Sequence, residues 1–249
     1  MDDRGMMMAE TVRVDVVSDV VCPWCFIGKR RLEMALKALR GREPALDIAV
    51  RWHPFQLNPD LPREGISRRR YVETKFGGSE RAAEIYARIT AAGATVDVPF
   101  AFDLIARQPN TLDTHRLIAW AQETANEFGK KSGDADALVE RLFRAYFLEG
   151  RFIGDRDELP ALAADAGYNA VEARAFLESD ALAEAVASAD ERARESGISG
   201  VPFFIFNGKT AVSGAQQPEV LRDAIVQARG GAHPPVSGDE ASDRVVPWN

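Results

Sequence analysis

Asp19-Val20-Val21-Cys22-Pro23-Trp24-Cys25-Phe26-Ile27-Gly28 is the stretch whose reading decides the fold. Cys22 and Cys25 are all the cysteine in a chain of 249 residues. Two cysteines at this spacing, with proline after the first, form a redox-active dithiol when they follow a strand and open a helix. Upstream, Val12, Val14 and Val16 alternate with Arg13 and Asp15, which predicts a strand within residues 11–21. Downstream, Leu32, Ala35, Leu36 and Leu39 recur at helical spacing. Pro23 then occupies the first helical position, where a missing N–H costs nothing.

This placement sets Cys22 at a helix N-terminus, where orphan N–H groups and the macrodipole favour a thiolate. Thiolate is the nucleophile of thiol–disulfide exchange. Cys25, one turn further in, is expected to be the more buried thiol and to resolve the mixed disulfide. Two other readings stand beside this one: a zinc ligand pair, and a site that binds a thiol cofactor without cycling. Structural zinc ordinarily takes four ligands. His53, His115 and His233 show no His-x-x-x-His spacing, so no metal is expected.

The rest of the composition narrows the class. Hydrophobic residues make up 46 % and charged residues 28 %, which suits a globular protein with a sizeable core. The net charge of −7 gives neither nucleic acid nor an anionic membrane a basic surface to bind. Arg68-Arg69-Arg70 is short and precedes a helical segment, so it reads as a solvated face. Residues 1–10 carry acidic side chains and no apolar run, unlike a secretory signal. No stretch has the length and apolarity of a membrane span. The expected location is the cytoplasm, where structural disulfides are rare and a lone cysteine pair points to catalysis.

Along the chain, residues 45–52 predict a second strand, with Leu46, Ile48, Val50 and Trp52 on one face. Strand, helix and strand in so short a length make a right-handed βαβ unit. Pro54, Pro59 and Pro62 break the pattern into a loop. Residues 66–196 read as helical throughout, in segments at 79–92, 112–128, 135–147, 158–166, 170–177 and 181–195. In the second segment Leu117, Ile118, Ala121, Ala125 and Phe128 form one stripe. Strand character returns at Phe203-Phe204-Ile205-Phe206, followed by an Asn207-Gly208 hairpin turn, a return strand and a closing helix over 218–229. Residues 230–249 read as a mobile Gly- and Pro-rich tail. The expected division is a discontinuous unit of residues 11–65 and 197–229, interrupted by a helical insertion at 66–196.

Cys-Pro-x-Cys at a helix start, a helical insertion and Gly200-Val201-Pro202 before a hairpin together resemble the thioredoxin-fold oxidoreductases of the DsbA type. Pro54-Phe55-Gln56-Leu57-Asn58-Pro59, Asn110-Thr111 with His115, and Ser213-Gly214-Ala215-Gln216 are similar to its cytoplasmic FrnE-like branch. The resemblance implies an α/β, thioredoxin-like fold (βαβ…ββα) with a large all-helical insertion. It implies a thiol–disulfide oxidoreductase or isomerase acting on protein or small-molecule disulfides or thiols. It implies a cis Val201-Pro202 bond beside the dithiol, with Val201 offering backbone groups to substrate. No tightly bound cofactor is expected beyond the redox-active disulfide, with glutathione as a candidate co-substrate. A monomer or homodimer is expected, with neither nucleic acid nor membrane as partner.

Trp24 departs from the DsbA pattern, which has histidine there, and reads instead as a substrate-facing platform. Asp19 reads as the end of the first strand rather than as a proton relay. His115 has two readings, a residue facing the dithiol or a satisfied histidine elsewhere. Two alternative functions remain. Kappa-class glutathione transferases and 2-hydroxychromene-2-carboxylate isomerases resemble the chain in scaffold but place serine at the position of Cys22. A non-catalytic module would use the insertion to hold clients.

Overall fold

Strand β1 (Thr11–Ser18) sits inside the sheet because its valines are buried on both sides of its second half. The computed structural model describes residues 11–127 and 134–230. Helix α1 (Pro23–Arg42) follows, then β2 (Asp47–Pro54), which pairs parallel with β1 from Thr11 opposite Asp47 to Ser18 opposite Pro54. Far along the chain, β5 (Phe203–Phe206) runs antiparallel on the other side of β1, with Val16 opposite Phe204. Strand β6 (Thr210–Ser213) completes the order β2-β1-β5-β6. The hairpin turn between the last two puts Asn207 at φ 51° and Gly208 at φ 65°, as a tight two-residue turn requires. Asn207 is also fixed from the side, since its N–H donates to Arg13 O and its Oδ1 accepts from Arg13 N, each at 2.8 Å. Helix α9 (Pro218–Arg229) packs on α1, burying Leu221, Ala224, Ile225 and Ala228.

Between β2 and β5 lie α2 (Arg68–Phe76), α3 (Ser79–Ala94), α4 (Leu112–Glu127), α5 (Asp134–Phe147), α6 (Leu159–Asp165), α7 (Ala170–Glu178) and α8 (Ala183–Glu195). The segment is not wholly helical. Two short strands, β3 (Ile66–Ser67) and β4 (Arg107–Gln108), pair antiparallel, and a 3-10 turn spans Phe102–Leu104. Two residues are too few to show a period, so this pairing leaves no pattern in the sequence. Arg68 corrects the solvated reading of the arginine run. It is partly buried, donating to Gln108 Oε1 at 2.6 Å and, through Nη2, to Tyr86 OH at 2.5 Å, while Arg69 and Arg70 are exposed. In α4, Leu117, Ile118 and Ala121 are buried as the stripe predicts. The side chains of Ala125 and Phe128, His233, and the predicted tail beyond Gly230 lie outside the described residues.

One continuous apolar core joins the sheet to the helical segment. Its seam beside the dithiol is aromatic. Phe26, directly after Cys25, stacks on Phe143 of α5 with centroids 5.0 Å apart and meets Phe100 edge-on at 6.1 Å. Burying a phenylalanine stabilises by about 1.5–3 kcal/mol, and such ring pairs add about 0.5–1.5 kcal/mol. The start of α1 is therefore anchored by the helical segment as well as by its own sheet.

Candidate active site

Cys22 is the N-cap residue of α1, with extended backbone at φ −92° and ψ 113°. Its carbonyl accepts from Cys25 N at 3.0 Å and opens the helix. Its thiol donates to Val201 O at 3.6 Å, so residues 179 positions apart meet across the active-site face. The Val201–Pro202 peptide is cis. Helix α1 comes close to this segment because position 28 is glycine, since a Cβ there would stand 2.8 Å from Pro202 Cγ. Cys22, Cys25, Val201 and Pro202 are thus brought together, with Pro23 buried and Trp24 half-buried at the helix start.

The expected contrast in exposure between the cysteines is absent. Cys22 is 2 % exposed and Cys25 is 1 % exposed. The Val201 carbonyl lies over the first sulfur, which a helix considered alone does not reveal. Both cysteines are free thiols. Burial, the largest influence, pushes the Cys25 thiol well up, and the neighbouring Cys22 sulfur adds to the effect. The Ser18 hydroxyl and the Asp19 backbone act in the opposite direction.

Behind the sulfurs, β1 ends in two polar residues. Ser18 is 4 % exposed and Asp19 is 0 % exposed. Asp19 does more than finish the strand, for its Oδ2 accepts from Leu57 N at 2.7 Å and ties down the loop after β2. Its Oδ1 faces His115 Nε2 at 3.3 Å, off line for a hydrogen bond, and neither atom has a hydrogen-bond partner among the described residues. His115 stands in the first turn of α4 and is 5 % exposed, so it faces the dithiol region rather than solvent. The Asn110 side chain sets the start of that helix, accepting from Leu112 N at 2.9 Å while donating to Leu61 O at 2.7 Å. Ser18 escaped the sequence reading. The available signal was a polar pair, Ser18-Asp19, interrupting a valine run that otherwise reads as buried.

Among the described residues, no three or more His, Cys, Asp or Glu side chains are arranged to hold a metal ion. No described helix is long and apolar enough to cross a membrane.

A model of the DSBA-like thioredoxin domain matches residues 13–226. A solved structure described as a probable DsbA oxidoreductase, from Streptomyces coelicolor, is 32 % identical with a TM-score of 0.74, covering 90 % of this chain and 92 % of its own. The uncharacterized protein YwbO of Bacillus subtilis is 30 % identical over 221 residues, which are 86 % of this chain and 96 % of YwbO. Two more distant structures share the fold. The cytosolic disulfide reductase DsbM of Pseudomonas aeruginosa, solved with GSH, is 20 % identical with a TM-score of 0.56 over 86 % of this chain and 98 % of its own. A 2-hydroxychromene-2-carboxylate isomerase is 18 % identical with a TM-score of 0.62 over 86 % of this chain and 95 % of its own.

Proposed function

The chain belongs to the DSBA-like thioredoxin family, and from that premise we propose that it is a thiol–disulfide oxidoreductase in which Cys22 attacks and Cys25 resolves. The observation that carries this reading is the position of Cys22 at the N-cap of α1, its sulfur 3.6 Å from the Val201 carbonyl. A helix N-terminus favours negative charge on the attacking sulfur. Cys22 thiolate attacks a substrate disulfide, forms a mixed disulfide and expels a thiolate. Cys25 then attacks Cys22, closes the Cys22–Cys25 disulfide and releases the second substrate thiol. The reverse sequence oxidises a substrate dithiol. Val201 offers backbone groups to an extended substrate, Pro202 keeps the sulfurs clear of a competing N–H, and Trp24 supplies an apolar contact at the rim.

Glutathione is the proposed thiol partner and the cytoplasm the proposed location. Both follow from the absence of a signal-like N-terminus and from the GSH bound to the structurally similar DsbM. The isomerase reading shares the scaffold, but a scaffold hosts many functions. A protein that only activates the sulfur of bound glutathione has no use for a second thiol one turn behind Cys22. The test is the Cys22–Cys25 reduction potential in a glutathione redox buffer. Equilibration between dithiol and disulfide is expected, and a pair that never forms the disulfide would exclude the reading.

A further inference from the structure

The resolving step presents a problem that the substrate face does not solve. Cys25 must lose a proton to attack, yet it is buried and its thiol is held protonated by that burial. Asp19 and His115 stand nearby with their facing atoms unpaired. Two cavities lie behind the sulfurs. The inner one, about 20 Å³, is lined by Ser18, Val20, Trp52, His53, Pro54, His115, Ile118, Ala119 and Val139, so it joins the end of β1 to α4. That volume holds one water molecule, which needs polar partners to stay. Ser18 Oγ, His115 Nε2 and Trp52 Nε1 are each buried without a hydrogen-bond partner among the described residues. The outer cavity, about 290 Å³, shares Trp52, His53, Pro54 and Ala119 with the inner one and opens to solvent between β2, α4 and α8.

We propose that Ser18, one water in the inner cavity, and the His115–Asp19 pair form a proton relay that serves Cys25 from behind, opening to solvent through the outer cavity. The inference rests on Cys25 being the resolving thiol. The Ser18 hydroxyl is close enough to the Cys25 sulfur to favour its thiolate, though not at ordinary hydrogen-bond geometry in the resting state. As Cys25 attacks, its S–H proton passes to Ser18 Oγ, which hands its own proton through the water to His115. The Cys25–Cys22 bond forms, the Cys22–substrate bond breaks, the substrate leaves as a thiolate, and His115 is left as imidazolium facing Asp19. The proton then leaves through the outer cavity. The charged and titratable groups around His115 are Asp19 from the turn before α1 and His53 from β2, which is paired with Asp15 at 2.9 Å. Its helix neighbours Asp113 and Arg116 are paired with each other at 2.6 Å. His115 and Asp19 act through Ser18 and are positioning residues that do not touch the sulfurs.

Dithiobis-nitrobenzoate separates the two steps, because attack by Cys22 releases one coloured thiolate and resolution by Cys25 releases a second. In His115→Gln and Ser18→Ala the first release keeps its wild-type rate. The second slows by about a hundredfold at neutral pH, the lower range for a proton-transfer group. In wild type the second rate rises with pH along a histidine-like limb and levels off. In His115→Gln that limb disappears, leaving only the alkaline rise of Cys25 itself. Added imidazole restores the second release in His115→Gly. An unchanged second release in either His115→Gln or Ser18→Ala overturns the relay. So does equal slowing of both releases, which marks a structural role. If wild type releases one equivalent and stops, Cys25 does not resolve, and the functional reading fails together with the relay.

Discussion

The helical segment meets α1 and the sheet at two polar places, and they are built differently. At the first, Lys29 of α1, 2 % exposed at its side chain, is surrounded by Glu33, Asp136 and Glu140, with Asp136 at 2.9 Å and Glu140 at 3.4 Å. Arg30 joins the cluster, pairing with Glu33 at 2.9 Å and with Glu140. At the second, Asp19 and His115 face each other out of line, beside a cavity, with their facing atoms unpaired. Charge is matched by charge at Lys29, whereas hydrogen-bonding capacity is left unused at His115. A closed ion cluster fixes one arrangement. An under-satisfied one stands out as a candidate for chemistry, because buried polar groups are otherwise almost always paired.

The most drastic way to test this contrast is to remove the sulfur that the second place serves. Cys22→Ser is expected to abolish exchange entirely while leaving the melting temperature close to wild type. Cys25→Ser should accumulate mixed disulfides on Cys22, visible by mass spectrometry without reductant. Trapping on position 25 instead would reverse the two roles.

Lys29→Ala probes the first place. It strands three carboxylates around a cavity, with only Arg30 to answer them. Removing one partner of a buried ion pair costs about 3–5 kcal/mol, and that loss is expected here in a denaturant titration. Exchange per folded molecule should stay near wild type. A stable Lys29→Ala with impaired exchange would invert the comparison.

These two places also mark where the sequence was legible and where it was not. The sheet strands of the first unit announce themselves by alternation, and α1 by its apolar spacing and Pro23. Cys22 and Cys25 show their chemistry through their spacing alone. Lys29 sits in Gly28-Lys29-Arg30-Arg31, which reads as an exposed basic face because helical periodicity says nothing about acids on a helix 107 residues away. The pairing of Asp19 with His115 is equally long-range, so each residue alone fits a bland role. The position of Val201 O over Cys22 Sγ hid the second burial for the same reason. Short-range pattern displays elements, while partners of a buried charge emerge only once those elements dock.

Gly28→Ala falls between the two places, since its neighbour Lys29 reaches the acids while position 28 faces the dithiol side. The new methyl would stand 2.8 Å from Pro202 Cγ and 3.2 Å from Phe204 Cζ. Overpacking of this kind costs about 1–3 kcal/mol. Because the displaced ring belongs to the active-site face, both stability and exchange rate should fall. A variant that loses stability with unchanged exchange would show that Pro202 tolerates movement.

The smallest expected effect is electrostatic and is read from pH. Burial would raise the Glu33 carboxyl, but the charge and hydrogen bond of Lys29, with Arg30, outweigh it and hold the group below its ordinary 4.5. Burial would likewise lower the Lys29 ammonium, but Asp136 and Glu33 hold it above its ordinary 10.5. A depressed carboxyl stabilises the fold above its unfolded value, and that contribution is lost as pH falls through the folded value. A raised ammonium stabilises below its unfolded value, and that contribution is lost as pH climbs through the folded one. Lys29→Met keeps most of the side-chain volume and removes the charge. The denaturation midpoints of wild type and Lys29→Met should therefore differ most near neutral pH. The gap should narrow below about 4.5, as Glu33 is protonated, and again above about 10.5, as Lys29 is neutralised. Glu33 is 39 % exposed at its side chain, so solvent screens part of the pairing and the acid narrowing is the shallower. A gap independent of pH would mean that Lys29 holds α1 to α5 by packing of its stem, and the contrast between the two places would then rest on His115 alone.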